Sequence, residues 1–174
     1  SYALAGTAPK HGPNAWTKEQ LLTDKKNLFE HNIVRDRIVH TMKTVTPDVT
    51  VGETGIMELA HLYHLRTIIT AKDSTKSLVE WAKLLHPTPA LGGEPREKAM
   101  ALLETYEAHE RGMYAAPFGF MKDMGDGIVV VAIRSALIMD NILYAYAGCG
   151  VVADSDADEE YIETNNKMRT ILDA

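Results

Sequence analysis

The 174-residue chain reads as a single α+β domain over 1–174, and three observations carry that reading. A helix-period run of apolar residues fills much of its first third. Three short strand-like runs, separated by turn residues, lie between 114 and 148. A last helix with an acidic start closes the chain, and no βαβ alternation links these parts. Helices and antiparallel strands are therefore mixed rather than wound in turn.

Taken in order, Ala3-Leu-Ala-Gly-Thr7 reads as the end of a strand for which nothing earlier offers a partner. We therefore expect the upstream part of a longer protein to be absent. Thr17-Lys-Glu-Gln20 has the form of a capping box. Leu21, Phe29, Ile33, Val34, Ile38, Met42 and Val45 then keep helical spacing until Pro47 ends one long helix. The segment 48–75 holds strand-like runs such as Leu65-Arg-Thr-Ile-Ile-Thr70. A helix over 76–85 stops before His86-Pro-Thr-Pro-Ala-Leu-Gly-Gly93, which reads as an ordered loop. Another helix runs from Pro95 to about Glu110. Strands follow at 114–122, 127–138 and 142–148, with turns at Met124-Gly-Asp-Gly127 and Met139-Asp-Asn141. The last helix begins after Asp154-Ser-Asp156 and is expected to bury Tyr161, Met168, Ile171 and Leu172.

Composition excludes several classes. The longest apolar run, Ile128 to Ile133, is too short to span a bilayer, and Ser1-Tyr-Ala-Leu-Ala-Gly has no secretory pattern. A single cysteine, Cys149, forms no internal disulfide, so a cytoplasmic location is expected. The net charge is −6 with scattered Lys and Arg, which argues against a nucleic-acid surface. Such a protein must concentrate positive charge locally to hold an anion.

Several residues could carry chemistry. Glu160, Glu163 and Lys167 share one helical face, as a surface ion-pair set or as ligands. Glu30 borders the apolar stripe of the long helix, so it needs a partner, either Arg37, solvent or a cation. Arg134 interrupts a strongly apolar run. Its fork suits a structural carboxylate or a bound one equally. Ala147-Gly-Cys-Gly150 would let backbone N–H groups approach an anion, though such glycines often only turn the chain. His61 and His64 have zinc-like spacing without the glutamate of a zinc hydrolase, and Cys149 has no neighbouring base.

In order along the chain stand Leu4-Ala-Gly-Thr7, Lys25-Lys-Asn-Leu-Phe-Glu-His31, Leu62-Tyr-His-Leu65 and His86-Pro-Thr-Pro-Ala-Leu-Gly-Gly93. Glu110-Arg-Gly-Met-Tyr114, Ala132-Ile-Arg-Ser135, Tyr146-Ala-Gly-Cys-Gly150 and Glu160-Tyr-Ile-Glu-Thr164 with Lys167 follow. Together these eight segments resemble the chorismate-utilising enzymes, which include isochorismate, salicylate, anthranilate and aminodeoxychorismate synthases; 46–58 matches poorly. The 86–89 loop and Ala-Gly-Cys-Gly are similar to isochorismate synthases, and the ending Glu-Thr-Asn-Asn-Lys to the menaquinone branch.

The resemblance implies the C-terminal portion of a two-lobed fold, with antiparallel sheets flanked by helices. It implies that Glu30 and Glu163 ligate Mg²⁺, with Glu160 helping directly or through water, and that the metal holds the ring carboxylate of chorismate. Arg134, Tyr114 and the backbone near Gly148 and Gly150 would bind the enolpyruvyl carboxylate. Thr7, His64 and Lys167 would line the ring side. The family's general base (a Lys) and general acid (a Glu) are expected upstream, so no catalytic residue is assigned within 1–174. The isolated chain is expected to be inactive, and to self-associate through surface that its missing part would cover. A salicylate synthase and a non-catalytic structural domain are the alternative readings.

Overall fold

A computed structural model describes residues 1–72 and 74–173. Strand β1 (Tyr2–Pro9) leads into helices α1 (Lys18–Thr23) and α2 (Lys25–Lys43). Strands β2 (Val49–Glu58) and β3 (Leu62–Ala71) follow, then helices α3 (Leu78–Leu85), α4 (Pro89–Gly92) and α5 (Arg96–Tyr106). Strands β4 (Pro117–Met121), β5 (Gly127–Val131), β6 (Ala136–Met139) and β7 (Ile142–Ala145) precede helix α6 (Ala157–Leu172). The strands form an antiparallel sheet in the order β1-β3-β2 and two hairpins, β4-β5 and β6-β7. The expected α+β class holds. Among the described residues no helix is long and apolar enough to cross a membrane.

The expected single long helix is two. The Thr17 capping box forms, with Gln20 N–H donating to Thr17 Oγ1 at 3.2 Å. Asp24 then takes an extended conformation, ends α1, and caps α2 by accepting from Asn27 N–H at 2.8 Å. An aspartate competes well for backbone donors, so a new helix start outweighs continuity there. The buried stripe of α2 is also shifted: Asn27, His31, Val34, Ile38 and Met42 face inward, while Phe29 is 58% exposed.

Val34, Ile38 and Met42 pack with Ala3 of β1 and Ile69 of β3, and Leu21 packs with Ala8 and Leu65. The core thus lies between the first helices and the three-stranded sheet. The opening strand finds its partner downstream, pairing along β3 from Tyr2↔Ile68 to Pro9↔Leu62. Its register slips between Ala5 and Thr7 at Gly6, whose φ is +78°. A Cβ there would stand 2.9 Å from the Asn27 carbonyl oxygen, so both backbone angle and close approach require glycine.

The later strands are shorter than expected. The predicted strand 127–138 breaks into β5 and β6, and Arg134 sits between them at φ +51°. The 86–93 loop contains the one-turn α4, and α5 stops at Tyr106 rather than near Glu110. On α6 the expected inner face holds only in part: Met168 and Ile171 are half-buried, whereas Tyr161 is 69% and Leu172 64% exposed, and the buried residue is Glu160. The helix is rotated so that Glu160 is buried and Glu163 half-buried beside Met168 and Ile171, while Asp158 and Glu159 stay exposed.

Candidate functional site

The site grows from the bulge of β1. Skipping Gly6 brings Thr7 opposite His64 of β3, and Thr7 Oγ1 lies 3.0 Å from His64 Nδ1. Thr7 N–H is held by Asn27 Oδ1 at 2.9 Å, and Asn27 is held by the Asp24 cap at 2.8 Å. The start of α2 and the bulge are therefore fixed to each other.

Arg134 meets His64 from the other side, with Nη2 2.7 Å from His64 Nε2. A guanidinium only donates, so Nε2 accepts, and the imidazole proton sits on Nδ1 and donates to Thr7 Oγ1. Burial, and then the charges of Arg134 and Lys167, press the His64 pKa down to about 3. The ring is neutral at physiological pH and both of its nitrogens are engaged.

Arg134 is not satisfied by this contact. Its Nη1 is buried and has no hydrogen-bond partner, the one such side-chain atom among the described residues. Burial also lowers its pKa, opposed by the charge of Glu163 and by Tyr114. An unmatched buried donor costs about 1–3 kcal/mol, and the left-handed backbone that aims it adds a further cost of about 1 kcal/mol. Such a guanidinium is suited to donate to a carboxylate.

Tyr114 stacks on Tyr146, with ring centroids 5.5 Å apart and 15° between planes. It reaches the glycine stretch: a Cβ on Gly148 would lie 2.9 Å from Tyr114 Oη. Lys167 Nζ donates to the Gly148 carbonyl at 3.0 Å and pairs with Glu163 at 2.5 Å. A Cβ on Gly150 would stand 3.9 Å from Glu30 Oε2.

The carboxylates of α2 and α6 converge here. Burial raises the Glu30 pKa to about 7, and the nearby charges of Glu163 and Glu160 add to the effect against Lys26 and Lys167. Glu160, only 6% exposed, is pushed up by burial but pulled further down by Lys26 and Ser155, which donate to its Oε1 at 2.7 and 2.6 Å. Three crowded carboxylates are hard oxygen donors of the kind that suit Mg²⁺, and no described hydrogen bond or ion pair holds the Glu30 side chain. In donor chemistry, though not in spacing as folded, these three side chains fit that ion. As folded, Lys26 holds Glu160 and Lys167 holds Glu163, and among the described residues no three His, Cys, Asp or Glu side chains are gathered closely enough to hold a metal.

The ten residues that the resemblance implies for the site, Thr7, Glu30, His64, Tyr114, Arg134, Gly148, Gly150, Glu160, Glu163 and Lys167, lie in one region through these contacts, with the three carboxylates too far apart to hold a metal as they stand. The blander readings divide. Glu30 does not meet Arg37, which forks onto Glu94 instead. Glu163 and Lys167 do pair, but with the lysine side chain 15% exposed. His61 leaves the site and meets His11 edge-on, because residues three apart near a strand face opposite ways. Burial raises the Cys149 thiol, which disfavours a nucleophilic thiolate. Lys26, Asn27, Ser155 and Tyr146 escaped sequence reasoning. None of the four is set apart by its local sequence; the Glu160 partner of Lys26 lies 134 residues away.

The family model described as chorismate binding enzyme matches residues 1–174. Among curated relatives, the salicylate biosynthesis isochorismate synthase of Pseudomonas aeruginosa is 35% identical over 179 residues, covering 100% of this chain and 38% of that protein. Isochorismate synthase MenF of Bacillus subtilis is 38% identical over 157 residues, covering 89% of this chain and 33% of that one. The solved structure of MenF from Escherichia coli, the menaquinone-specific isochorismate synthase, superposes with a TM-score of 0.84 at 31% identity, covering 99% of this chain and 41% of that one. The chain belongs to the chorismate binding enzyme family, and its mixed sheet-and-helix architecture is that of isochorismate synthases. It spans between a third and a half of the length of these proteins.

Proposed function

We propose that the chain forms the cation- and carboxylate-binding side of a magnesium-dependent isochorismate synthase, which converts chorismate to isochorismate. The observation that carries this is Arg134, a half-buried guanidinium with an unmatched Nη1 beside a neutral histidine. The relatives that act as isochorismate synthases support the choice of chorismate, a dianion with two separate carboxylates.

Arg134, with Tyr114 and the backbone around Gly148 and Gly150, takes the enolpyruvyl carboxylate. Glu30, Glu160 and Glu163 hold Mg²⁺, which when bound supplies positive charge for the ring carboxylate. Thr7 accepts from His64 Nδ1–H, so its own hydroxyl proton is free to donate toward the ring. Lys167, tethered to Glu163 and the Gly148 carbonyl, keeps positive charge on the same side.

The reaction adds water at one ring carbon and expels hydroxide from another, which needs a base and an acid. His64 has both nitrogens engaged, and Lys167 is committed to two acceptors. Neither is assigned a proton-transfer role, and the chain alone binds chorismate without turning it over. Titration with chorismate in Mg²⁺, with product analysis of the same mixture, tests this. Saturable binding weakened about 100-fold by Arg134→Ala is expected, with no isochorismate formed. Unchanged affinity in the variant, or turnover at the rate of a full-length synthase, contradicts the proposal.

A further inference from the structure

The carboxylate cluster already has a resident cation. Lys26 lies four residues before Glu30 on α2, so both side chains leave one face of the helix. From there its Nζ crosses to α6 and stands 2.7 Å from Glu160 Oε1, an ion pair whose side chains are 28% and 8% exposed. Its charge also acts on Glu30 and Glu163. Lys167 plays a more local part, pairing with Glu163 one turn earlier on its own helix. Lys26 is therefore the positive group that ties the two helices together at the cluster.

We propose that Lys26 is a built-in surrogate cation, which holds the carboxylates of α2 and α6 together in the metal-free protein and competes with a divalent ion for Glu160. The inference rests on the reading of Glu30, Glu160 and Glu163 as a divalent-cation site. Its physical basis is simple. An ammonium in contact with a ligand carboxylate occupies one of its oxygens and repels a second cation at short range. Without any cation, three carboxylates in a partly desolvated pocket would repel one another and separate the helices. One lysine meets the second need at the expense of the first. It thereby keeps Mg²⁺ affinity below what the carboxylates alone would give.

The test measures Mg²⁺ binding by calorimetry, and thermal melts in chelator and in Mg²⁺, for the wild-type chain, Lys26→Met, Lys26→Gln and Lys26→Arg. The neutral variants are expected to melt lower in chelator and to bind Mg²⁺ about tenfold more tightly than wild type. Their melting temperature should rise more on adding Mg²⁺, while Lys26→Arg should behave as wild type. Should Lys26→Met fail to melt cooperatively, Lys26→Gln carries the test, because it keeps a donor for Glu160 while losing the charge. Wild-type binding that the neutral variants leave unchanged or weaken overturns the role of Lys26 alone. Absence of Mg²⁺ binding in every variant overturns the cation-site reading as well.

Discussion

At Glu30 three effects meet: burial, two neighbouring carboxylates, and two lysines that only partly offset them, leaving its pKa near 7. The consequence for stability has a definite sign. Below the ordinary carboxylate range both folded and unfolded Glu30 are protonated and the residue is neutral in the balance. As pH rises toward 7 the unfolded form ionises first, so the folded state loses stability progressively, and above about 7 the loss is complete. Replacing Glu30 by Gln removes that term. In chelator, Glu30→Gln should be more stable than wild type at pH 8, by something on the order of 1–2 kcal/mol after allowance for solvent screening. The gap should close near pH 4.5, and thermal melts across that range check it. A variant less stable than wild type at pH 8 would mean that Glu30 is already satisfied by a partner. The residue scale was also the most legible in the sequence. Glu30 and Arg134 announce themselves as charges set in apolar surroundings. Lys26 does not, because nothing local separates it from Lys18 or Lys25; its importance comes from Glu160, 134 residues away.

Among elements, the bulged β1 does the most positioning. Gly6 lets the strand skip one residue, which sets Thr7 against His64 and lets Asn27 hold Thr7 N–H. Gly6→Ala is expected to cost about 1–3 kcal/mol, since alanine resists φ +78° and its Cβ would press on the Asn27 carbonyl. Chemical denaturation checks the cost, and a wild-type midpoint would show that the bulge relaxes freely. Element boundaries were less legible than residues, and each miss has a local cause. Asp24 reads as a tolerable helical residue until its side chain is seen capping α2. Arg134 sits in a β-branched run that favours a strand, yet the chain turns through a left-handed conformation there, and that turn directs it to His64. On α6 the apolar positions suggested a buried face, whereas the one fully buried residue is Glu160, with Glu163, Met168 and Ile171 half-buried.

For the whole molecule, the mixture of helices and antiparallel sheets was readable from periodicity, because it depends on patterns many residues long. The disposition of the later hairpins was not. Phe118, Phe120, Ile128, Ile138 and Ile142 lie largely uncovered on β4 to β7, and a sequence does not say which apolar faces remain open. The sheet β1-β3-β2, α2, α6 and the glycine stretch nonetheless bring side chains from both ends of the chain to one place. Whether Glu30 and Glu163 share a divalent ion there is tested most directly by calorimetric titration of the wild-type chain and of Glu163→Ala with Mg²⁺. Saturable binding in the wild type that is lost or weakened at least about tenfold in the variant is the predicted result. Equal binding by the two chains, or none by the wild type, would contradict it.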